Sequence, residues 1–85
     1  MITTTIHTLK TVEPYFSQVR EKKKTFEIRR DDRYYKVGDI LKLLKYDARQ
    51  QKFSGDEVLA EVTHILDNYP ALEYGYVVLS IKLLE

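Results

Sequence analysis

Along the first half of the chain the spacing of apolar residues changes period. Val12, Phe16 and Val19 fall at i, i+4 and i+7, the stripe of a helix that faces a core, while Ser17, Gln18, Arg20 and Glu21 point to water. Ahead of that stripe, Thr11 supplies a capping hydroxyl, Glu13 an acid for the first turn, and Pro14 a residue tolerated where no intrahelical donor is needed. A helix is predicted over Val12–Lys22. From Lys24 the period is two, with Phe26 and Ile28 on one side, expected to face the core, and Thr25, Glu27 and Arg29 on the other, expected to face out.

The remaining pattern is one of strands and turns. The β-branched stretch Thr3–His7 predicts a short edge strand opening the fold. Arg30-Asp31-Asp32-Arg33 ends the Lys24 strand in a charged loop, and Gly38-Asp39 marks a turn before the apolar run Ile40–Leu44. Tyr46–Gly55 is polar, with Ser54-Gly55 as its turn, and Val58–Leu66 is rich in β formers, so the flanking strands are expected to form a hairpin. After the loop Asp67–Gly75, Tyr76–Leu83 closes the fold with Val77, Leu79, Ile81 and Leu83 on one parity. One short N-terminal helix and four or five strands predict a mostly β (α+β) fold, a small, mostly antiparallel β-barrel plugged or capped by the helix, whose closure would protect its edges.

Eighty-five residues bound the fold to a single domain over 1–85 with one modest core. With no cysteine, the chain has no disulfide, thiolate nucleophile or cysteine-based metal site, and its composition suits a reducing cytoplasm. No apolar run approaches the length of a membrane span, and MITTTIHTLK lacks the character of a signal peptide, so an intracellular, cytoplasmic protein without a membrane partner is expected.

Charge changes the picture more than composition does. Eight of the fourteen Lys and Arg lie between Arg20 and Lys36, against four of the thirteen acids, so this segment carries +4 and the remainder −3 beneath a net +1. The stretch Glu21–Asp39 is therefore where a ligand is sought first. On the outward parity of its strand, Thr25, Glu27 and Arg29 set a hydroxyl, a carboxylate and a guanidinium side by side: either a solvated ion-paired sheet face, or a pocket in which Arg29 takes a phosphate or carboxylate and Glu27 accepts from a base amino group. Lys22-Lys23-Lys24 can meet phosphates without sequence preference. Asp31 and Asp32 can orient Arg29, Arg30 and Arg33 by bidentate pairing, or form an exposed ion-pair loop worth little. Seven tyrosines offer stacking surfaces, although a buried ring with a wet hydroxyl is the commoner use. His7 and His64 stand far apart with no ligand spacing around them, so neither a metal nor a cofactor is expected, and no phosphate loop or nucleophile elbow is present.

Taken in order, H-T-L-K-T at His7–Thr11, P-Y-F at Pro14–Phe16, K-T-F-E-I-R at Lys24–Arg29, D-D-R-Y-Y-K-V-G-D at Asp31–Asp39, V-T-H-I-L at Val62–Leu66 and G-Y-V-V-L-S-I at Gly75–Ile81 resemble the short ASCH-related family of phages and bacteria, of unknown function, within the PUA-like superfamily. The resemblance implies a PUA-like barrel with a cleft between helix and barrel, and ASCH domains are generally thought to bind RNA. Carried over by position, it marks Lys24, Thr25, Glu27 and Arg29 as bordering that cleft and brings His7 and Lys10 toward it. Val37-Gly38-Asp39 looks structural. Some ASCH proteins hydrolyse acetylated cytidine with a Lys and a downstream Thr. Here Lys24 matches their Lys, but Glu27 stands at the Thr position and the insertion that supplies their acidic partner is missing.

Three functions are therefore weighed. The first is a small module binding RNA or a nucleotide, with Lys23, Lys24, Arg29, Arg30 and Arg33 on phosphates, Thr25 and Glu27 on base or sugar, and His7 and Lys10 nearby. The second is a hydrolase of an acylated nucleoside using Lys24 and Glu27. A third is a phage-type module whose polarised surface holds an acidic protein partner.

Overall fold

A computed structural model describes residues Thr4–Leu84. The elements run β1 (Ile6–Thr11), α1 (Tyr15–Arg20), β2 (Phe26–Arg30), β3 (Ile40–Asp47), β4 (Lys52–Leu66) and β5 (Tyr76–Leu84). The strands form one five-stranded sheet in the order β1-β3-β4-β5-β2, curled into a half-barrel. β1 pairs with β3 in parallel, and every other ladder is antiparallel. β1 and β2 are left as the two facing edges, so the expected closure by a main-chain ladder is replaced by an open seam.

Alternation places the core. Leu41 and Leu43 of β3, Ala60 and Val62 of β4, and Val77, Leu79 and Ile81 of β5 turn into the concave face, joined by Leu9 of β1, Tyr35 and Val19 of α1. Full burial of each large aliphatic chain contributes roughly 1.5–3 kcal/mol. The parity read for β5 holds, as does the hairpin of β3 and β4, with Leu41 opposite Ala60 and Leu43 opposite Val58. Its turn does not fall at Ser54-Gly55. Both strands run further, and the chain reverses at 48–51, where the Asp47 carboxylate accepts the N–H groups of Arg49 and Gln50 at 2.9 and 3.1 Å. Gly55 lies instead within β4, at φ +95°, in the irregularity where β4 carries extra residues opposite Lys45. A second bulge between Val62 and His64 breaks the inward parity of β4, so that Thr63 and His64 are both exposed before Ile65 turns in.

The other elements shift in detail. The first strand begins at Ile6 rather than Thr3, which lies outside the described residues, and it is an edge strand as expected. The helix has six residues rather than eleven. Phe16 and Val19 are buried, while Val12 lies outside α1 and is exposed. Thr11 does not cap it, because it belongs to β1. Glu13 takes that role, accepting the Ser17 N–H at 2.7 Å and the Ser17 hydroxyl, and these bonds, the side-chain one foremost, lower its pKa. Lys22, at φ 63°, ends the helix in the left-handed conformation, and the Lys23 N–H returns to the Gln18 carbonyl at 2.9 Å.

Candidate functional site

β2 faces the opposite way from its predicted orientation. Phe26 and Ile28 are 42% and 53% exposed, and Glu27 is 4% exposed. Period two decides which residues share a face, and a one-residue change of register exchanges the faces. At the seam the usual preference is reversed, because the inward positions of β2 look across to the facing edge of β1 and must satisfy polar main chain there. Glu27 and Arg29 do so together. The Arg29 Nε–H donates to Glu27 Oε2 at 3.0 Å, and its Nη2 group donates to the Lys10 carbonyl at 3.1 Å and to Thr11 Oγ1 at 3.2 Å. Arg29 thus bridges β2 to β1 where no strand pairing joins them.

A buried carboxylate needs compensation, and Glu27 has it from both sides. Lys24 Nζ donates to Glu27 Oε1 at 2.6 Å and to the Phe26 carbonyl at 2.6 Å. The side chains of Glu27, Lys24 and Arg29 are 5%, 15% and 23% exposed, so the two cations stand at the boundary with solvent and the acid behind them. Guanidinium carries five N–H donors and ammonium three. Among the described residues these bonds leave the Nη1 protons of Arg29 and one Nζ proton of Lys24 to a ligand.

Beside this triad lies a cleft of about 720 Å³ between α1 and the seam. Lys10 and Thr11 of β1 form one wall, Phe26–Arg29 of β2 the other, and Tyr15 and Gln18 of α1 with Lys23 and Lys24 the end. Four cations line it against one carboxylate. Lys24 Nζ stands 4.9 Å from the ring centre of Phe26 and 5.7 Å from that of Tyr15, and Lys10 Nζ lies 4.5 Å from the Tyr46 ring. The arrangement can take an anion on oriented donors while an aromatic body lies on exposed rings.

Of the residues marked in the sequence, Lys10, Lys23, Lys24, Glu27 and Arg29 meet at this cleft. Arg30 and Arg33 line an adjoining depression of about 450 Å³, which shares Lys10 and Arg29 with it. Hydrogen bonding to Tyr76 raises the pKa of Arg30. Thr25 shares the parity of Glu27 and Arg29 but stands ahead of β2, where it is exposed and lines a separate groove with Val19 and Ile81. His7 does not reach the cleft. It is buried, with Nε2 2.8 Å from Asp39 Oδ2 and its ring 4.7 Å from that of Tyr35, whose phenol burial pushes up in pKa. Asp39 also accepts the Lys36 N–H at 2.9 Å beside Gly38 at φ +96°, so Val37–Asp39 is the structural turn expected. Asp31 does not orient an arginine. Its carboxylate accepts the Tyr35 N–H at 3.2 Å, and Glu27 holds Arg29 instead.

Thr11, Tyr15, Gln18, Phe26 and Ile28 are cleft residues that sequence reasoning missed. The available signal was the polar pair Glu27 and Arg29 standing at alternate positions beside a lysine, which is equally the pattern of a solvated face. No curated protein matches the chain. Residues 6–81 match the family described as a domain of unknown function, DUF3850. That match takes in both edges of the seam, α1 and the Lys24–Glu27–Arg29 triad, and the chain belongs to the DUF3850 family.

Proposed function

We propose that this domain is a PUA-like module of the ASCH type, working in the cytoplasm, that binds RNA or a nucleotide in the cleft between α1 and the β1–β2 seam. The observation that carries the reading is the Lys24–Glu27–Arg29 triad, in which a buried carboxylate fixes two cations at a solvent boundary and leaves donors unused. Oriented cations of this kind suit a phosphate, and the exposed faces of Phe26 and Tyr15 suit a base. Lys10 and Lys23 add positive charge, and Arg30 and Arg33 extend it into the adjoining depression. A hydrolytic role for Lys24 and Glu27 draws no separate support, since both Glu27 oxygens are engaged by cations.

The test is titration of labelled RNA, DNA and free nucleotides by fluorescence anisotropy or NMR over a series of salt concentrations. Binding is expected to weaken steeply with salt, and Lys10→Ala with Lys23→Ala to reduce the slope without loss of fold. Absence of binding by all three ligand types at low salt refutes the proposal.

A further inference from the structure

The polar groups of the β2 main chain divide between its two sides. The Ile81 N–H donates to the Thr25 carbonyl at 3.0 Å, so Thr25 turns its polar groups toward β5. In an antiparallel ladder successive residues turn their N–H and C=O to opposite sides. Glu27 and Arg29 therefore also bond to β5, while Phe26, Ile28 and Arg30 present theirs to the free edge, and among the described residues β5 is the only ladder partner of β2. Lys24 Nζ on the Phe26 carbonyl agrees with that assignment. So does the Asp32 N–H, which donates to the Arg30 carbonyl at 2.9 Å.

Two of the three carbonyls on that edge are thus occupied, and among the described residues Ile28 alone keeps both its N–H and its C=O. The residue lines the cleft and is 53% exposed. Resting on the reading that the cleft takes a nucleotide, we propose that the Ile28 main chain reads the base: its N–H donates to a ring nitrogen or carbonyl of the nucleobase and its C=O accepts the adjacent N–H. Purines and pyrimidines carry such a neighbouring acceptor and donor on one planar edge. The Phe26 ring lies two residues away on the same strand, within reach of a base face, and the spare protons of Lys24 and Arg29 are left for the phosphate. An added peptide strand would use the same edge but needs a run of alternating donors and acceptors, and here the carbonyls on either side of Ile28 are capped. One free pair fits one base.

The experiment titrates uniformly 15N-labelled protein with the four nucleoside 5′-monophosphates and with ribose 5-phosphate at low salt. At least one nucleotide should bind roughly tenfold more tightly than ribose 5-phosphate, the scale of two main-chain hydrogen bonds. The Ile28 amide should shift with that nucleotide and stay still with ribose 5-phosphate. Ile28→Pro removes the donor on a side where no ladder bond is lost, a position in which an edge strand tolerates proline. It should lower nucleotide affinity to that of ribose 5-phosphate and leave the latter unchanged. Should the variant fail to fold, the wild-type amide shift decides alone. Equal binding of ribose 5-phosphate and every nucleotide overturns the base assignment and leaves the cleft as an anion site. Base-dependent binding with the Ile28 amide unmoved also overturns it. If no ligand binds, the nucleotide reading falls with it. Joint protection of the Phe26, Ile28 and Arg30 amides by an extended peptide overturns it in favour of strand addition.

Discussion

Replacing Glu27 by glutamine keeps the shape of the side chain and removes the charge on which the seam depends. In the folded protein its two oxygens accept from Lys24 at 2.6 Å and from Arg29 at 3.0 Å, with only 5% of the side chain exposed. Each bond to a charged partner is worth about 1.5–3 kcal/mol. A glutamine can retain one acceptor but turns an NH2 group toward a cation at the other position, so a repulsion between donors replaces one of the two bonds. Because Lys24 and Arg29 keep 15% and 23% exposure, part of the penalty is relieved by water. Together these give a loss of about 2–3 kcal/mol, between the 3–5 of a fully buried broken pair and the 0–1 of a surface pair. For a domain of this size that is a fall in Tm of about 10–20 °C. The assay is thermal and urea unfolding followed by circular dichroism, with Glu27→Gln, Lys24→Met and the double variant forming a cycle. The coupling between the two sites should exceed about 1 kcal/mol and persist in 1 M NaCl, since a buried pair is poorly screened. A loss below about 0.5 kcal/mol, or a loss abolished by salt, would mean that Glu27 belongs to a solvated face and that the seam is held by something else.

Three further outcomes follow from the same geometry. Phe26→Ser should change stability by less than about 1 kcal/mol in urea unfolding, whereas Leu79→Ala, at a fully buried position of β5, should cost about 2–4 kcal/mol; comparable losses at both sites would contradict the orientation of β2. Burial raises the pKa of Tyr35 above its ordinary 10.0. Its contribution is thus fully present below about pH 10, the unfolded pKa, and is lost as pH rises through the folded one, and absorbance titration should show a tyrosine ionising late that disappears in Tyr35→Phe. Asp47→Ala removes the acceptor for two N–H groups at the β3–β4 turn and should destabilise by about 1 kcal/mol, read as a lower urea midpoint at unchanged slope, without altering ligand affinity.

Periodicity alone established the mostly β fold, the short helix that buries Phe16 and Val19, the β3–β4 pairing and the inward parity of β5, because each rests on contacts between neighbouring residues or on an apolar face with one place to go. The clustering of cations around Glu21–Asp39 was equally legible, and so was Asp39 as the residue that fixes a turn. Only the tertiary structure decided which way β2 faces. Alternation says that Phe26 and Ile28 lie together and that Glu27 and Arg29 lie together, but the choice between faces is made by what stands opposite. For β2 that is the facing edge of β1, with the Lys10 carbonyl and Thr11 hydroxyl that Arg29 reaches. The placement of His7 and Thr25 was likewise settled only in three dimensions. His7 lies four residues before Thr11 on the same face of β1 and is taken by a buried pair with Asp39, and Thr25 precedes β2 and lines a different groove, since distance along a strand separates side chains that parity alone would group.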